Sequence, residues 1–271
     1  KAVSVSGTEV KCRVIVGGPL RSRQGLNIPG ARIFMDPLTG RDLQIIDFGL
    51  SKGADIFCLS FINRSDDVVR AREYLRKQGK SACLIAKIER AEAVRNIDEI
   101  LDVSDGIMVA RGDLGMEIPI EDVPAVQKLL ISKANLKSKP VITATQMLES
   151  MASNIRPTRA EVTDIANAIL DGTDGIMLSG ETAIGRYPVE AVRMMSRIAA
   201  AIEGGKGPAR NLGGTREDLV QKIDRRKITV GDMISINVIE AARGLQARLI
   251  LTPTHGGGTP RRVSRFKPRS W

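Results

Sequence analysis

The sequence predicts an α/β fold: the later part of a (β/α)8 TIM barrel, five of eight βα units, with a small β-rich region before it and the start of another α/β domain after it. Three observations carry this. Between Ile45 and Ala201 a short β-rich apolar run is followed, again and again, by a charged amphipathic stretch, at the spacing of about 25 to 35 residues that a βα unit needs. No Gly-x-Gly-x-x-Gly follows a strand-like run, which disfavours a dinucleotide-binding sheet. And each strand-like run ends in chemically able residues, as the strands of a barrel do at the rim that holds the active site.

In order along the chain, Val3–Val5 and Val10–Val16 form a β-rich region, turned at Gly17-Gly18-Pro19 and closed by Gly25 to Gly30. The barrel strands are Asp55–Phe61, Ala82–Ile88, Gly106–Ala110, Pro140–Ala144 and Gly175–Leu178, each apolar on both faces as buried parallel strands are. Asp66–Gln78, Arg159–Asp171 and Pro188–Glu203 carry apolar residues at helical spacing, and Gly79 and Gly172 are natural helix stops. Gly204 to Pro208 reads as a linker. A helix at Gly231–Leu245, a strand at Ala247–Thr252 and a loop at His255–Thr259 follow. The domain expectation is therefore 1–33, 34–203 and 204–271.

Hydrophobic residues make up 42% and charged residues 27%, a globular balance, while aromatics at 3% leave the core to Val, Ile, Leu, Met and Ala. No apolar run is long enough to span a bilayer, and the first residues lack a secretory apolar region. Cys12, Cys58 and Cys83 are widely spaced and odd in number, which argues against a disulfide framework or a zinc site and fits a reducing cytosol. The net charge of +10 invites a nucleic-acid partner, but most of it falls after Ala201, no aromatics are interleaved to stack bases, and no nucleic-acid motif is present. A solvated or anion-binding face explains it better. The chain opens on Lys1 rather than methionine, and the expectation is a piece of a longer protein.

The strand ends supply Ser60, Lys87 with Glu89, Arg111 with Asp113, Thr145, and Ser179 with Glu181. Lys87 and Glu89 alternate on one strand and so face the same side. Glu89 and Asp113, from adjacent strands, suit a hard divalent cation such as Mg²⁺ that keeps positions open for substrate oxygens. Lys87 adds positive charge where an enolate or phosphoryl oxygen becomes negative. Gly112, which lacks a side chain, lets its amide approach an anion, ahead of a loop into the next helix. Thr145 and Ser179 bring hydroxyls. Singly, these are an ordinary salt bridge and an ordinary turn; five strand ends together point to a site.

Ile85-Ala86-Lys87-Ile88-Glu89, Gly106–Pro119 (GIMVARGDLGMEIP), Pro140–Met151 (PVITATQMLESM), Arg156–Glu161 (RPTRAE) and Leu170–Thr182 (LDGTDGIMLSGET) closely resemble the motifs of pyruvate kinases. The resemblance runs over essentially the whole chain. It implies phosphate transfer from phosphoenolpyruvate to ADP, giving pyruvate and ATP, with Mg²⁺ or Mn²⁺ and a monovalent cation, K⁺, in a cytoplasmic homotetramer. It implies Glu89 and Asp113 as metal ligands and Lys87 as the group that stabilises the phosphoryl group and the enolate. Gly112, Asp113 and Thr145 would hold the substrate, with Ser60-Phe61 at the floor of the site and Ser179 near the path of proton delivery. Residues 1–33 resemble the end of the family's lid domain, and 204–271 a linker and the start of its regulatory domain. There Thr254 to Thr259 matches a loop that takes sugar-phosphate effectors in some members.

Against the family's pattern, the first three barrel strands and most of the lid have no counterpart here, and with them the monovalent-cation site and much of the ADP site. The chain alone is therefore expected to be inactive. Gln24 stands where members commonly have a lysine directed at the nucleotide, and His255 replaces other polar residues in the effector loop. Two competing readings are a metal-dependent aldolase or lyase acting on pyruvate enolate in the same barrel, and a catalytically dead fragment kept for assembly.

Overall fold

The computed structural model describes residues 1–19, 22, 38–204, 223 and 228–268. The expectations for Gln24, the Gly25–Gly30 closure and the linker beyond Gly204 lie outside these residues. The chain divides into two compact units, Lys1–Ala31 and Arg32–Trp271. In the first, β1 (Ala2–Ser6) and β2 (Glu9–Cys12) pair antiparallel around Gly7, whose φ of +58° suits a residue without a Cβ. Val14–Val16, expected to continue the second strand, lie outside it.

The second unit is built on a five-stranded parallel sheet. Its strands are β3 (Ile56–Leu59), β4 (Cys83–Ile88), β5 (Gly106–Ala110), β6 (Val141–Ala144) and β7 (Gly175–Met177), ordered β3-β4-β5-β6-β7. Neighbours in space are neighbours in sequence throughout, and the order never reverses. A doubly wound sheet reverses at a switch point; a barrel does not, so the sheet is a barrel arc. Helices α1 (Gly40–Ser51), α2 (Ser65–Lys77), α3 (Ala91–Arg95), α4 (Ile97–Val103), α5 (Arg111–Glu117), α6 (Val123–Leu136), α7 (Arg159–Leu170), α8 (Gly180–Ala183) and α9 (Pro188–Glu203) alternate with the strands.

The strand alternation sorts side chains into two layers. Leu84, Ala86, Ile88, Ile107, Val109 and Val141 are buried in the main core together with Val68, Leu75, Ile100, Leu130 and Ile131 of the helices. On the opposite face Cys83, Ile85, Met108, Ile142, Ala144 and Met177 form a thinner layer. Contrary to the expectation that every strand is covered on both faces, Ile56 of β3 is 60% exposed. It sits at the edge of the sheet, with no strand beyond it among the described residues.

At the start of the strands one device recurs. Ser104-Asp105-Gly106 precedes β5 and Thr173-Asp174-Gly175 precedes β7. Each aspartate accepts the amide of the preceding strand, Asp105 from Leu84 at 2.9 Å and Asp174 from Val141 at 3.0 Å. At Gly106 the missing side chain leaves room for the neighbour, since a Cβ there would lie 2.7 Å from the Pro140 carbonyl oxygen.

Beyond α9, the helix Val230–Gly244 starts on a Thr229–Asp232 capping box, and the helix Gly258–Ser264 packs beside it through Ile239, Val263 and Phe266. The strand expected at Ala247–Thr252 does not form. The segment has no neighbouring strand to pair with among the described residues, and a lone strand gains no ladder.

Candidate active site

The C-terminal ends of β4, β5 and β6 bring the predicted residues together. Lys87 lies on β4 and Glu89 just past its end; the Lys87 ammonium meets Glu89 Oε2 at 2.5 Å and Asp113 Oδ2 at 3.0 Å. Two carboxylates from successive βα units thus converge on one cationic position. Glu89 is 3% exposed, and its second oxygen accepts the Phe61 amide at 2.6 Å, which fixes the carboxylate from behind. Asp113 stays 53% exposed at its side chain. Burial works against the Lys87 charge, but the hydrogen bonds to Glu89 and Asp113 outweigh it and hold its pKa above the ordinary lysine value. Burial pushes the nearby Cys58 thiol up, against the pull of Lys87.

Asp113 does not precede a loop. β5 runs directly into α5 at Arg111, so Asp113 sits in the first turn of a helix. The Gly112 amide, expected to face an anion, donates to Thr145 Oγ1 at 2.8 Å. That hydroxyl in turn donates to the Ala144 carbonyl at 2.6 Å. A Cβ on Gly112 would lie 3.3 Å from Thr145 Oγ1, tighter than ordinary packing, so glycine is what lets the two approach.

Phe61, Thr145 and Gln146 adopt positive φ values of 58°, 68° and 53°. Left-handed backbone in residues with side chains costs stability and gathers at functional sites. Phe61 caps the end of β3, half exposed, with the Arg90 guanidinium 5.5 Å from its ring centre. Ser60 beside it is half-buried. Ser179 is less central: its backbone amide donates to Glu181, and among the described residues its hydroxyl makes no hydrogen bond to the Lys87 cluster.

Two strand-end residues turn away from the rim. Glu181, 3% exposed, accepts the amides of Leu148 and Ser179, tying the segment after β6 to the turn after β7. Arg111 is buried and bonds the Thr145 and Gln146 carbonyls. Spacing placed both at the rim, but alternation does not report a side chain that folds back beneath it. At the other end of the unit, Thr254 Oγ1 accepts the Gly257 amide at 3.1 Å, and Thr259 stands exposed in the first turn of the helix Gly258–Ser264. Three of the described basic residues near the end of the chain are paired within the unit: Arg265 with Asp232, Lys267 with Asp174, and Arg261 with the Gly256 and Gly257 carbonyls.

The family model for the pyruvate kinase barrel domain matches residues 2–192. The chain belongs to the pyruvate kinase family. It is 50% identical over 268 residues to the pyruvate kinase of Thermococcus litoralis, covering 98% of this chain and 56% of that protein. It is 47% identical over 270 residues to the pyruvate kinase of Geobacillus stearothermophilus, covering 99% and 45%. To the Thermotoga maritima pyruvate kinase it is 44% identical over 266 residues, covering 98% and 55%. The chain thus spans about half the length of the curated relatives it matches. The parallel arc agrees with a barrel-domain membership, and no helix among the described residues is long and apolar enough to cross a membrane.

Proposed function

We propose that the protein carrying this sequence transfers phosphate from phosphoenolpyruvate to ADP, giving pyruvate and ATP, and that this chain supplies the metal and enolate side of the site. The observation that carries the proposal is the convergence of Glu89 and Asp113 on the Lys87 ammonium at the ends of neighbouring strands. That donor set fits Mg²⁺ or Mn²⁺: two hard carboxylates aimed at one cationic position, one rigidly held and one exposed enough to share with solvent or substrate oxygens. Among the described residues no group of three or more metal-ligating side chains exists. When bound, the divalent ion supplies positive charge for the transferring phosphoryl oxygens. K⁺ belongs to the same proposal, with no residue of this chain assigned to it.

Lys87, charged and set between two carboxylates, stabilises the phosphoryl group in transfer and the enolate oxygen left behind. Gly112, Asp113 and Thr145 hold the substrate, Ser60 and Phe61 form the floor, and Ser179 serves the protonation of the enolate. Residues 1–33 are taken as the end of a lid domain, 34–203 as barrel strands four to eight, and 204–271 as a linker and the start of a regulatory domain. In that last domain Thr254 and Thr259 face an effector. The working form is a cytoplasmic homotetramer.

The test is ATP formation from phosphoenolpyruvate and ADP by the natural full-length protein, wild type and Lys87→Met. The expected loss in kcat is at least about 10²- to 10³-fold, the scale of removing one group that stabilises transition-state charge. Equal turnover in both proteins would overturn the role of Lys87. A wild type that cleaves or condenses pyruvate enolates without making ATP would replace the proposal with an aldolase.

A further inference from the structure

Arg111 stands at the junction of β5 and α5, and its side chain is 7% exposed. Its Nη2 donates to the Thr145 carbonyl at 2.7 Å and to the Gln146 carbonyl at 3.0 Å. Its Nη1 donates to Asp164 Oδ2 on α7 at 2.5 Å and to Gln127 Oε1 on α6 at 3.2 Å. Gln127 is itself held, its amide donating to Asp171 at 3.2 Å. One planar guanidinium therefore joins α6, α7 and the segment that follows β6.

That segment is the strained one. Thr145 and Gln146 are consecutive left-handed residues, and neither is glycine. Such a pair persists only where the surroundings over-determine it. Both of its carbonyls meet the same nitrogen of Arg111, and the Thr145 hydroxyl is held on its other side by the Gly112 amide. The backbone is clamped from below and the hydroxyl from the side.

A purely packing role would not call for this residue. Among the described residues Arg111 Nε is buried with no hydrogen-bond partner, and its charge is compensated by a carboxylate that is itself 38% exposed. An apolar side chain of similar size fills such a space without a buried, partly unsatisfied cation. It could not, however, hold two carbonyls. A lysine's single nitrogen, with three donors, could not hold both carbonyls together with Asp164 and Gln127, the four acceptors that the two Nη atoms share.

We propose that Arg111, with Asp164 as its counter-charge, is a positioning residue that sets the Thr145 hydroxyl for the transferred group by holding the Thr145–Gln146 backbone in its left-handed form. The proposal rests on the phosphotransfer reading above. Arg111 touches no substrate; it acts through Thr145.

The test is a double-mutant cycle in the natural full-length protein, with Arg111→Lys and Thr145→Ala made singly and together. Arg111→Lys is expected to lower kcat by about 10- to 100-fold, the scale of misplacing a catalytic group by an ångström or less. Mn²⁺ affinity should stay within about twofold, because Glu89 and Asp113 are untouched. In the Thr145→Ala background the same substitution should lower kcat by less than about threefold, since residues that act as a unit are not additive. Losses that simply multiply overturn the assignment, as does an unchanged kcat in Arg111→Lys. If Arg111→Lys does not fold, Asp164→Asn, which removes the counter-charge at a half-exposed site, replaces it in the cycle with the same criteria. A wild type that forms no ATP defeats the phosphotransfer reading itself; wild-type turnover with a multiplicative cycle defeats the Arg111 assignment alone.

Discussion

Glu89 combines near-complete burial with three demands on one carboxylate: the Phe61 amide, the Lys87 ammonium and the proposed metal. Glu89→Ala is therefore expected to weaken Mn²⁺ binding by more than the roughly 10- to 100-fold that removal of an outer partner costs, measured by titration of the natural protein. Unchanged affinity would remove Glu89 from the ligand set. At this scale the sequence was legible wherever one strand carried the information. Lys87 and Glu89 share a face because a strand alternates, and Asp113 follows the next strand in the register that brings Lys87 beside Met108. Arg111 and Glu181 were legible as polar strand-end residues but not as supports. Whether such a side chain reaches outward or folds under depends on partners such as Asp164 and Leu148, which lie 53 and 33 residues away.

The five strands and the long helices are where short-range pattern and outcome agree most closely. Short apolar runs became β4, β5 and β6 within a residue or so of the expected ends, and Pro188–Glu203 became α9 unchanged. The helix stops at Gly79 and Gly172 have φ of +62° and +94°, the conformation glycine adopts most readily. The departures are short or unpartnered: the break between α3 and α4 at Asn96, which was not anticipated, and the strand expected at 247–252, which does not form. Asp105 tests how the arc is held. Burial opposes its charge, yet the Leu84 amide and Arg72 hold its pKa below the ordinary carboxylate value. A depressed carboxylate stabilises the fold above its unfolded pKa, and that contribution fades as pH falls through the folded value. Asp105→Asn is expected to cost about 1–2 kcal/mol at neutral pH in urea unfolding. The gap from wild type should close below the carboxylate range. A gap that persists in acid would show that the charge is not what matters.

At the scale of the whole molecule, the arc has two edges. β3 and β7 each pair on one side only among the described residues, and Ile56 on β3 is exposed. An open, apolar strand edge is a template for another chain. This chain, expressed alone, is expected to associate with rising concentration in light scattering, and Ile56→Lys to suppress that association by placing a charge at the edge. Association that Ile56→Lys leaves untouched would place the sticky surface elsewhere. The chain spans about half of its relatives' length.

By itself the sequence determined the order of the βα units, the face on which Lys87 and Glu89 stand, and the family, because alternation, helical spacing and long motifs are properties of contiguous residues. Only the tertiary structure decided that Glu89 and Asp113 meet on one ammonium, that the Gly112 amide is taken by Thr145, and that Arg111 lies beneath the left-handed pair after β6. Apart from Lys87 with Glu89, those contacts join residues from 26 to 35 positions apart, and no local rule of backbone geometry reaches that far: they form when parallel strands line up in register and carry their ends to one rim.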